Sequence, residues 1–324
     1  MEYGERRAED RCSQQRRREQ GEKIRGKEAR APAAQFRFLL LAPHFNNIAG
    51  SGLLILLPWS DGFMHMENKA LPPMISLGKR LRKSPVRCVG VKPNWCDYPE
   101  EWQTEIVSAK KICYPGPVYG RIFEAAGLKI FPRNYYHFLG NKIAQTDLFN
   151  LLEIPHPRTG IYYGRDRLRR IEGDFPYPLI AKTPVGSSQG RGVFLIHGPK
   201  DLSKYLETHN PAYIQEYLST DRDLRAVVIG GRLVHAYWRI HREGDFRNNV
   251  AQGGAISFEN IPAAALDFAV QTARKCGFDE AGLDICEFAG KYLVLEANMV
   301  YGQEGFRKKD LDIYKMIADL FTGT

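Results

Sequence analysis

The sequence has few cysteines and no long apolar run, and these absences exclude several classes of protein. The six cysteines among its 324 residues form no CxxC pair and show no metal-ligand spacing, which argues against a disulfide framework or a zinc site. The apolar runs at 38–42 and 53–57 are far shorter than the roughly 18 residues of a membrane-spanning helix. We therefore expect a reduced, cytoplasmic protein with no membrane partner.

Nucleic-acid binding is also disfavoured, although the net charge is +9. Residues 1–65 carry eleven Lys/Arg and eight Asp/Glu, so the excess of positive charge is spread along the chain. We find no platform in which aromatic and basic residues alternate, as single-strand binding requires. A mildly basic enzyme that accepts anionic substrates fits better. The sequence does not define the oligomeric state and leaves a homo-oligomer open.

The first 65 residues differ from the rest in composition. Residues 1–33 are dense in charge and nearly free of large apolar side chains, which favours disorder. An RNA-binding basic arm is an alternative interpretation. A third is that translation starts later, at Met64, Met66 or Met74, where regular patterning begins. We treat residues 1–65 as an extension that is disordered or wrongly assigned.

From residue 74 the pattern alternates between strands and helices. Short strands at 86–91, 110–115 and 128–132 and a helix at 119–127 predict a small α/β lobe over 74–139. Asn141 is placed to cap a helix that buries Ala144, Leu148, Leu151 and Leu152. The remaining predicted elements are strands at 177–182, 192–196 and 212–218, helices at 201–209 and 262–277, and hairpins at 224–240 and 281–298.

A glycine-rich stretch, AKTPVGSSQGRGVFLI at 181–196, is the first candidate site. Its glycines allow backbone N–H groups to approach a phosphate, and Lys182 could neutralise the charge. The stretch is neither a Walker A loop nor a Rossmann fingerprint. A mobile hairpin with a surface lysine is the alternative, but Lys182 follows the apolar run Leu179-Ile180-Ala181, which indicates the end of a buried strand.

The last hairpin predicts a metal site. Glu296 and Asn298 are two residues apart in a strand and therefore share a face. Asp284 lies nearly opposite them if the chain turns at FAGK. Two carboxylates and an amide oxygen suit Mg²⁺, which also takes oxygens from water and phosphate. A solvated polar strand face is the alternative.

Arginines and asparagines gather in and just after the 224–240 hairpin. Arg225 and Arg239 lie in its strands, and REGDFRNNVAQGG follows at 242–254. Arginine suits bidentate recognition of carboxylate and phosphate, although a single arginine is usually a surface charge.

Six ordered motifs resemble the ATP-grasp superfamily, in its RimK-type (ribosomal-protein glutamate ligase) branch. They are NKIAQTDLFNLLEIPHP, PLIAKTPVGSSQGRGV, IQEYLSTDRDLR, REGDFRNNVAQGG, AGLDIC and LVLEANMVYGQEGF. The resemblance implies an α+β fold in which two subdomains clamp ATP, preceded by the α/β lobe. The ATP-grasp domain would span 140–324, with a flap subdomain at about 140–214 and a metal-binding subdomain at about 215–324.

The resemblance also implies a role for each matching residue. Nucleotide phosphates would meet Lys142, Lys182, Gly186, Ser187, Gln189, Gly190, Gly192, Arg247, Asn248 and Asn249. Adenine would lie on Gln215, Glu216, Tyr217 and Leu218, and ribose on Asp223. Mg²⁺, with Mn²⁺ as an alternative, would be held by Asp284, Glu296 and Asn298. Catalysis would rest on Lys182, Arg239 and Arg247.

The chemistry implied is ATP-dependent formation of a carbon–nitrogen bond through an acylphosphate. The partners would be a carboxylate substrate and an amine acceptor, which could be an amino acid, a peptide or a protein. A non-catalytic nucleotide-binding module of the same fold is the alternative. Two segments depart from the family pattern, at Val250-Ala251-Gln252 and at Met299-Val300-Tyr301. Both lie where the acceptor is expected, so the sequence identifies neither the acid nor the amine.

Overall fold

The computed structural model describes residues 74–186, 192–240 and 255–322, and it begins with a small parallel sheet. The elements of this part are β1 (Ile75–Ser76), β2 (Arg87–Cys88), α1 (Glu100–Ser108), β3 (Ile112–Cys113), α2 (Gly116–Ala125), β4 (Ile130–Phe131) and α3 (Tyr135–Phe138). The strand order in the sheet is β2-β1-β3-β4, and every neighbouring pair is parallel. The helix predicted at 119–127 is present as α2, and Gly127 ends it with a φ of +73°.

The next helix, α4 (Lys142–Leu151), begins where the sequence predicts. The Asn141 side chain accepts a hydrogen bond from the Ala144 N–H, as a capping residue should. The predicted buried face is wrong: Leu151 is 79% exposed, and Ala144, Leu148 and Leu152 are only partly buried. The face that is buried is mostly polar, and it consists of Lys142, Gln145, Thr146 and Phe149.

A second, antiparallel sheet follows, and its elements are β5 (Thr159–Tyr162), α5 (Arg167–Asp174), β6 (Leu179–Lys182), β7 (Val193–Ile196), α6 (Pro199–Thr208) and β8 (Ala212–Glu216). The strand order is β5-β8-β6-β7. The interior strand β6 is buried at all four positions, including Lys182 at its end, and β8 is the other interior strand. Apolar residues on the sheet and on two helices form a separate core, which includes Leu179, Ala181, Leu202 and Ile214.

The third sheet is antiparallel, and the elements of this part are β9 (Arg222–Ile229), β10 (Arg232–Ile240), β11 (Ala255–Ser257), α7 (Ala263–Lys275), β12 (Glu280–Phe288), β13 (Lys291–Asn298), α8 (Glu304–Lys308) and α9 (Ile313–Thr322). The strand order is β11-β10-β9-β12-β13. The predicted hairpin turn at Gly230-Gly231 is present, and both glycines have a positive φ. One face of the sheet packs on α7, where Ala265, Ala269 and Ala273 are fully buried.

A buried ionic cluster joins the parallel sheet to the third sheet. Glu280, at the start of β12, is 0% exposed and accepts hydrogen bonds from the hydroxyls of Tyr114 (2.6 Å) and Tyr301 (2.9 Å). The Arg80 guanidinium pairs with the same carboxylate and lies over both tyrosine rings. We name these four residues the Glu280 cluster.

Among the helices that the structure describes, none is both long and apolar enough to cross a bilayer. The predicted extension over residues 1–65 lies outside the described residues, and the boundaries proposed for the subdomains stay predictions.

Candidate active site

One face of the third sheet carries the candidate site. Strand residues two apart point to the same side, so the register decides which polar groups meet. Asp284 lies directly opposite Glu296 on one side and Arg225 on the other. Asn298 lies opposite Gly282, on the same face as Glu296. The structure therefore brings Asp284, Glu296 and Asn298 together on one face of the sheet, and their role as metal ligands stays a prediction.

Asp284 is the centre of a network of charged hydrogen bonds. Arg225 donates to both of its oxygens, from Nε to Oδ1 (2.6 Å) and from a terminal nitrogen to Oδ2 (3.2 Å). Arg239 reaches Oδ2 at 2.9 Å, and the Asn298 amide donates to the same oxygen at 3.1 Å. Burial would raise the pKa of Asp284, but the two guanidinium groups outweigh it and lower that pKa. Asp284 is therefore ionised at neutral pH.

Arg239 also belongs to this network. It donates from Nε and a terminal nitrogen to the two oxygens of Asp223, at 2.7 and 2.6 Å. Burial alone would lower the pKa of Arg239, but Asp223 and Asp284 raise it. The guanidinium is thus held as a permanent cation between two carboxylates. Asp223, which the family resemblance assigns to the ribose, is 2% exposed. In the structure both of its carboxylate oxygens accept hydrogen bonds from Arg239.

Helix α4 brings the first predicted lysine to the same face. The Lys142 ammonium lies 2.9 Å from Glu296 Oε1, and its side chain is 5% exposed. One turn later, the Gln145 amide exchanges two hydrogen bonds with the backbone of Ala297, between Glu296 and Asn298. The polar residues Lys142 and Gln145 of α4 are therefore buried because this face of the helix packs on β13 and finds charged and backbone partners there.

The second predicted lysine arrives from the second sheet. Lys182 ends β6 and is 8% exposed, and the Tyr205 hydroxyl donates to its carbonyl at 2.7 Å. Burial lowers the pKa of Lys182 to about 8; Glu296 and Asp284 oppose this shift, whereas the like charge of Lys142 adds to it. Lys182 is therefore electrostatically coupled to Lys142 and to both carboxylates. The interpretation of Lys182 as a surface charge is wrong.

The base of the glycine-rich stretch lies beside the start of α4. The Lys142 N–H donates to the Pro184 carbonyl (2.9 Å), and the Gly186 N–H donates to the Gly140 carbonyl (3.0 Å). The Thr183 N–H donates to the Gly192 carbonyl at 2.7 Å, which closes the stretch at its base. Gly186 and Gly192 have φ values of +77° and +92°. Glycine adopts such values readily, whereas a residue with a side chain would be strained there. Ser187, Gln189 and Gly190 lie outside the described residues.

Strand β8 supplies the residues predicted to hold adenine. Gln215 is buried and donates to the Thr159 hydroxyl at 3.0 Å, and Glu216 accepts from the Arg158 N–H at 2.6 Å. Tyr217 and Leu218 follow the strand and are half-buried. A small cleft runs between α4, β8 and β13, and its lining includes Lys142, Gln215, Leu295 and Glu296.

Three further predicted site residues lie outside the part of the chain that the structure describes, and three residues of the site were not predicted from the sequence. Arg247, Asn248 and Asn249 lie outside the described residues. Sequence reasoning missed Gln145, Thr146 and Tyr213; the last two share a hydrogen bond of 2.8 Å between α4 and β8. A polar residue at helical spacing from Lys142 was a signal for Gln145. The partnership of Arg225 with Asp284 was missed because it depends on the pairing of β9 with β12.

The residues on this face fit a magnesium ion. The described residues hold no group of three or more His, Cys, Asp and Glu arranged for a metal, so a site here would have two carboxylates and one amide. That set suits Mg²⁺, which binds through one or two carboxylates and completes its shell with water and substrate phosphates. Asp284 is ionised, as a ligand must be, and its pairing with two arginines limits the excess negative charge.

Comparison with known proteins points to one family. The family model described as the RimK-like ATP-grasp domain matches residues 140–321. A probable alpha-L-glutamate ligase of Haemophilus ducreyi is 38% identical over 149 residues, which cover 44% of this chain and 48% of that protein. A ribosomal protein bS6–L-glutamate ligase of Salmonella paratyphi B is 32% identical over 180 residues, which cover 52% of this chain and 58% of that protein.

A solved structure shows the same fold at low identity. The ATP-grasp ligase PsnB, complexed with a phosphomimetic variant of its minimal precursor, Mg and ADP, has a TM-score of 0.56 and 18% identity, covering 78% of this chain and 98% of that one. The chain spans about half the length of the curated relatives it matches. The predicted α+β, ATP-grasp fold is confirmed, and the chain belongs to the RimK-like ATP-grasp family.

Proposed function

We propose that the protein is an ATP- and Mg²⁺-dependent ligase that joins a carboxylate to an amine. One observation carries the proposal: two buried lysines from different parts of the fold act on the same pair of carboxylates. Lys142 pairs with Glu296 at 2.9 Å, and Lys182 is electrostatically coupled to Glu296 and Asp284. Burying Lys142, Lys182 and Asp284 costs folding free energy, so a ligand that uses their charges is the physical reason to keep them together.

The chain's own groups divide the work between them. Lys142 and Lys182 would neutralise nucleotide phosphates, and the backbone around Gly186 would approach them. Gln215 to Leu218 would hold the adenine at the edge of the second sheet. Arg225 and Arg239 would keep Asp284 ionised and fixed. Because Asp223 and Asp284 occupy Arg239, we infer that it positions Asp284, which revises the predicted catalytic role.

Asp284, Glu296 and Asn298 would hold Mg²⁺, which when bound supplies positive charge to the phosphate oxygens. Catalysis then consists of positioning and charge neutralisation. A substrate carboxylate oxygen attacks the γ-phosphorus, the bond to the β,γ-bridging oxygen breaks, and ADP leaves. The acceptor amine attacks the acyl carbon of the resulting acylphosphate, the bond from that carbon to the phosphate oxygen breaks, and the departing phosphate takes up the proton that the amine loses. Exclusion of water protects the acylphosphate until the amine arrives.

The names of relatives support a substrate class. Two curated relatives are named glutamate ligases, and PsnB was captured with a peptide precursor. For this protein we propose an amino acid as one substrate and an amino acid, peptide or protein as the other. Tyr301, which lies in one of the two segments that depart from the family pattern, packs closely on Gly282 of β12, since a Cβ on Gly282 would lie 2.9 Å from the Tyr301 ring.

The direct test is an ADP-release screen with pairs of amino acids and short peptides, with and without Mg²⁺. We expect turnover that needs Mg²⁺ and one pair of substrates. Glu296→Gln keeps the shape of the side chain but removes one ligand charge, so we expect ADP release to fall about 100-fold or more. Glu287→Gln, at an exposed position on the neighbouring strand, is the control and should keep full activity. Saturable ATP binding without turnover on any pair would instead favour the non-catalytic nucleotide-binding module.

ATP binding should weaken in mildly alkaline solution because Lys182 has a pKa of about 8 in the free protein. The neighbouring phosphates favour the protonated lysine, so binding should take up a proton above that pH. The dissociation constant should therefore be flat below pH 8 and rise above it, by at most about tenfold per pH unit. Isothermal titration between pH 6.5 and 9.5 measures this. Lys182→Met should bind more weakly and lose this rise; a rise that persists in the variant would contradict the assignment.

A further inference from the structure

Strand β13 carries two of the three candidate metal ligands, and it is an edge strand. Its partner β12 lies on one side, and none of the strands that the structure describes pairs with it on the other. An edge strand has backbone N–H and C=O groups that no neighbouring strand satisfies. At Ala297, between Glu296 and Asn298, these groups are buried among protein atoms, and Ala297 is 1% exposed.

Gln145 satisfies both groups at once. Its Nε2 donates to the Ala297 carbonyl at 2.8 Å, and its Oε1 accepts from the Ala297 N–H at 3.0 Å. The side-chain amide thus takes the place of a peptide group on an adjacent strand. Nε2 also donates to the Phe138 carbonyl at 2.9 Å, and the residue is 3% exposed. A side chain bonded at both ends and buried has little freedom to move.

The pairing acts at an irregular point of the strand. The register between β12 and β13 shifts at Asp284 and Ile285, so that Glu296 pairs with Asp284 while Val294 pairs with Ile285. An irregularity of this kind weakens the ladder next to it and re-aims the neighbouring side chains. The two hydrogen bonds from Gln145 to Ala297 therefore hold the backbone of β13 next to the point where its pairing with β12 is irregular.

We propose that Gln145 is a positioning residue for the metal ligands: it fixes the backbone between Glu296 and Asn298 and so aims both side chains. The same helix places Lys142 on Glu296, so α4 sets both the backbone and one carboxylate of the site. This inference rests on the proposed function. Residues that orient metal ligands through hydrogen bonds commonly change metal affinity by about 10- to 100-fold when they are replaced.

The test replaces Gln145 with Met, which is similar in volume and makes neither bond. We expect Mn²⁺ to bind about tenfold more weakly in the presence of ADP, as measured by the electron paramagnetic resonance signal of free Mn²⁺. Tyr162→Phe is the control, since it removes a hydrogen bond of a buried side chain, to Asp174 at 2.7 Å, that lies outside the candidate site. It should change the Mn²⁺ dissociation constant less than about twofold, because it leaves the pairing with β13 intact.

A second readout needs no ligand. In the free protein, the Ala297 amide should exchange with deuterium about tenfold faster in Gln145→Met, while amides of β9 keep their wild-type rates. Faster exchange throughout the sheet, or equal loss of Mn²⁺ affinity in both variants, would mean a general structural role and would overturn the proposal. Gln145→Glu keeps the acceptor for the Ala297 N–H, so its Mn²⁺ affinity should lie between those of wild type and Gln145→Met. It replaces Gln145→Met in the test if the latter folds poorly.

The outcomes separate the two proposals. If wild type binds Mn²⁺ with ADP and Gln145→Met binds it equally well, the positioning role is wrong and the proposed function stands. If wild type binds no Mn²⁺ in the presence of ADP, the proposed function fails and this inference fails with it.

Discussion

Lys182→Met is expected to lower the kcat of ADP release about 100- to 1000-fold, which is the usual cost of removing one preorganised group that meets transition-state charge. Lys182 is 8% exposed, and its ammonium interacts electrostatically with the carboxylates of Glu296 and Asp284. In such a site a charge is weakly screened by water, so its loss is not made good by solvent. Initial rates at saturating ATP and Mg²⁺ measure the effect.

Two measurements separate this effect from damage to the fold. Burial opposes the charge of Lys182, so Met should leave the free energy of unfolding in urea unchanged or raise it. Lys204→Met, at an exposed position on α6, should keep wild-type rates. Wild-type kcat in Lys182→Met would remove the lysine from the reaction, and a large loss of stability would mean that its role is structural.

Asp284→Asn is expected to lower the free energy of unfolding by about 3 kcal/mol, because removing one partner leaves buried arginines short of a charge. Arg225 and Arg239 both donate to this carboxylate, and Arg225 is 6% exposed. Asp279→Asn is the matched control, since that carboxylate also accepts two bonds from an arginine side chain, but Arg133 is 66% exposed. An exposed pair of this kind contributes about 0–1 kcal/mol. Equal losses in urea unfolding would contradict the network.

The same network gives the stability a pH dependence of known sign. The pKa of Asp284 is lower in the folded protein than its value of about 3.9 in an unfolded chain. Its contribution is therefore complete above pH 4 and is lost as the pH falls through the folded-state value. The difference in stability between wild type and Asp284→Asn should thus shrink in acid. A difference that stays constant down to pH 2 would show that the charge is not the cause.

The sequence predicts local features well where a short pattern decides them. Asn141 as a cap, the Gly230-Gly231 turn and the pairing of Asp284 with Glu296 each follow from a few neighbouring residues. Strand β1 escaped prediction because it has two residues, and only its neighbours β2 and β3 define it. The buried face of α4 was mispredicted because burial was assigned by hydrophobicity. In the fold, Lys142 and Gln145 are buried because they find charged and backbone partners there.

The charged network needed the tertiary structure. Arg225 and Asp284 are 59 residues apart, and Lys142 and Glu296 lie on elements that nothing local connects. A resemblance to a family supplied the site residues as a set, but it contains no information about Gln145 or about which arginine meets which carboxylate. Those partnerships depend on strand order and register, which no short motif encodes.

The Glu280 cluster has a consequence for dividing the chain into fragments. A fragment that starts at residue 140, where the family match starts, would lack Arg80 and Tyr114, two of the three donors to Glu280. It would also lose Met74, Leu81 and Phe131 from the apolar core that they share with the third sheet. The bared carboxylate and apolar surface would favour aggregation over folding. The smallest unit worth expressing therefore begins before Met74, well ahead of the segment that family resemblance delimits.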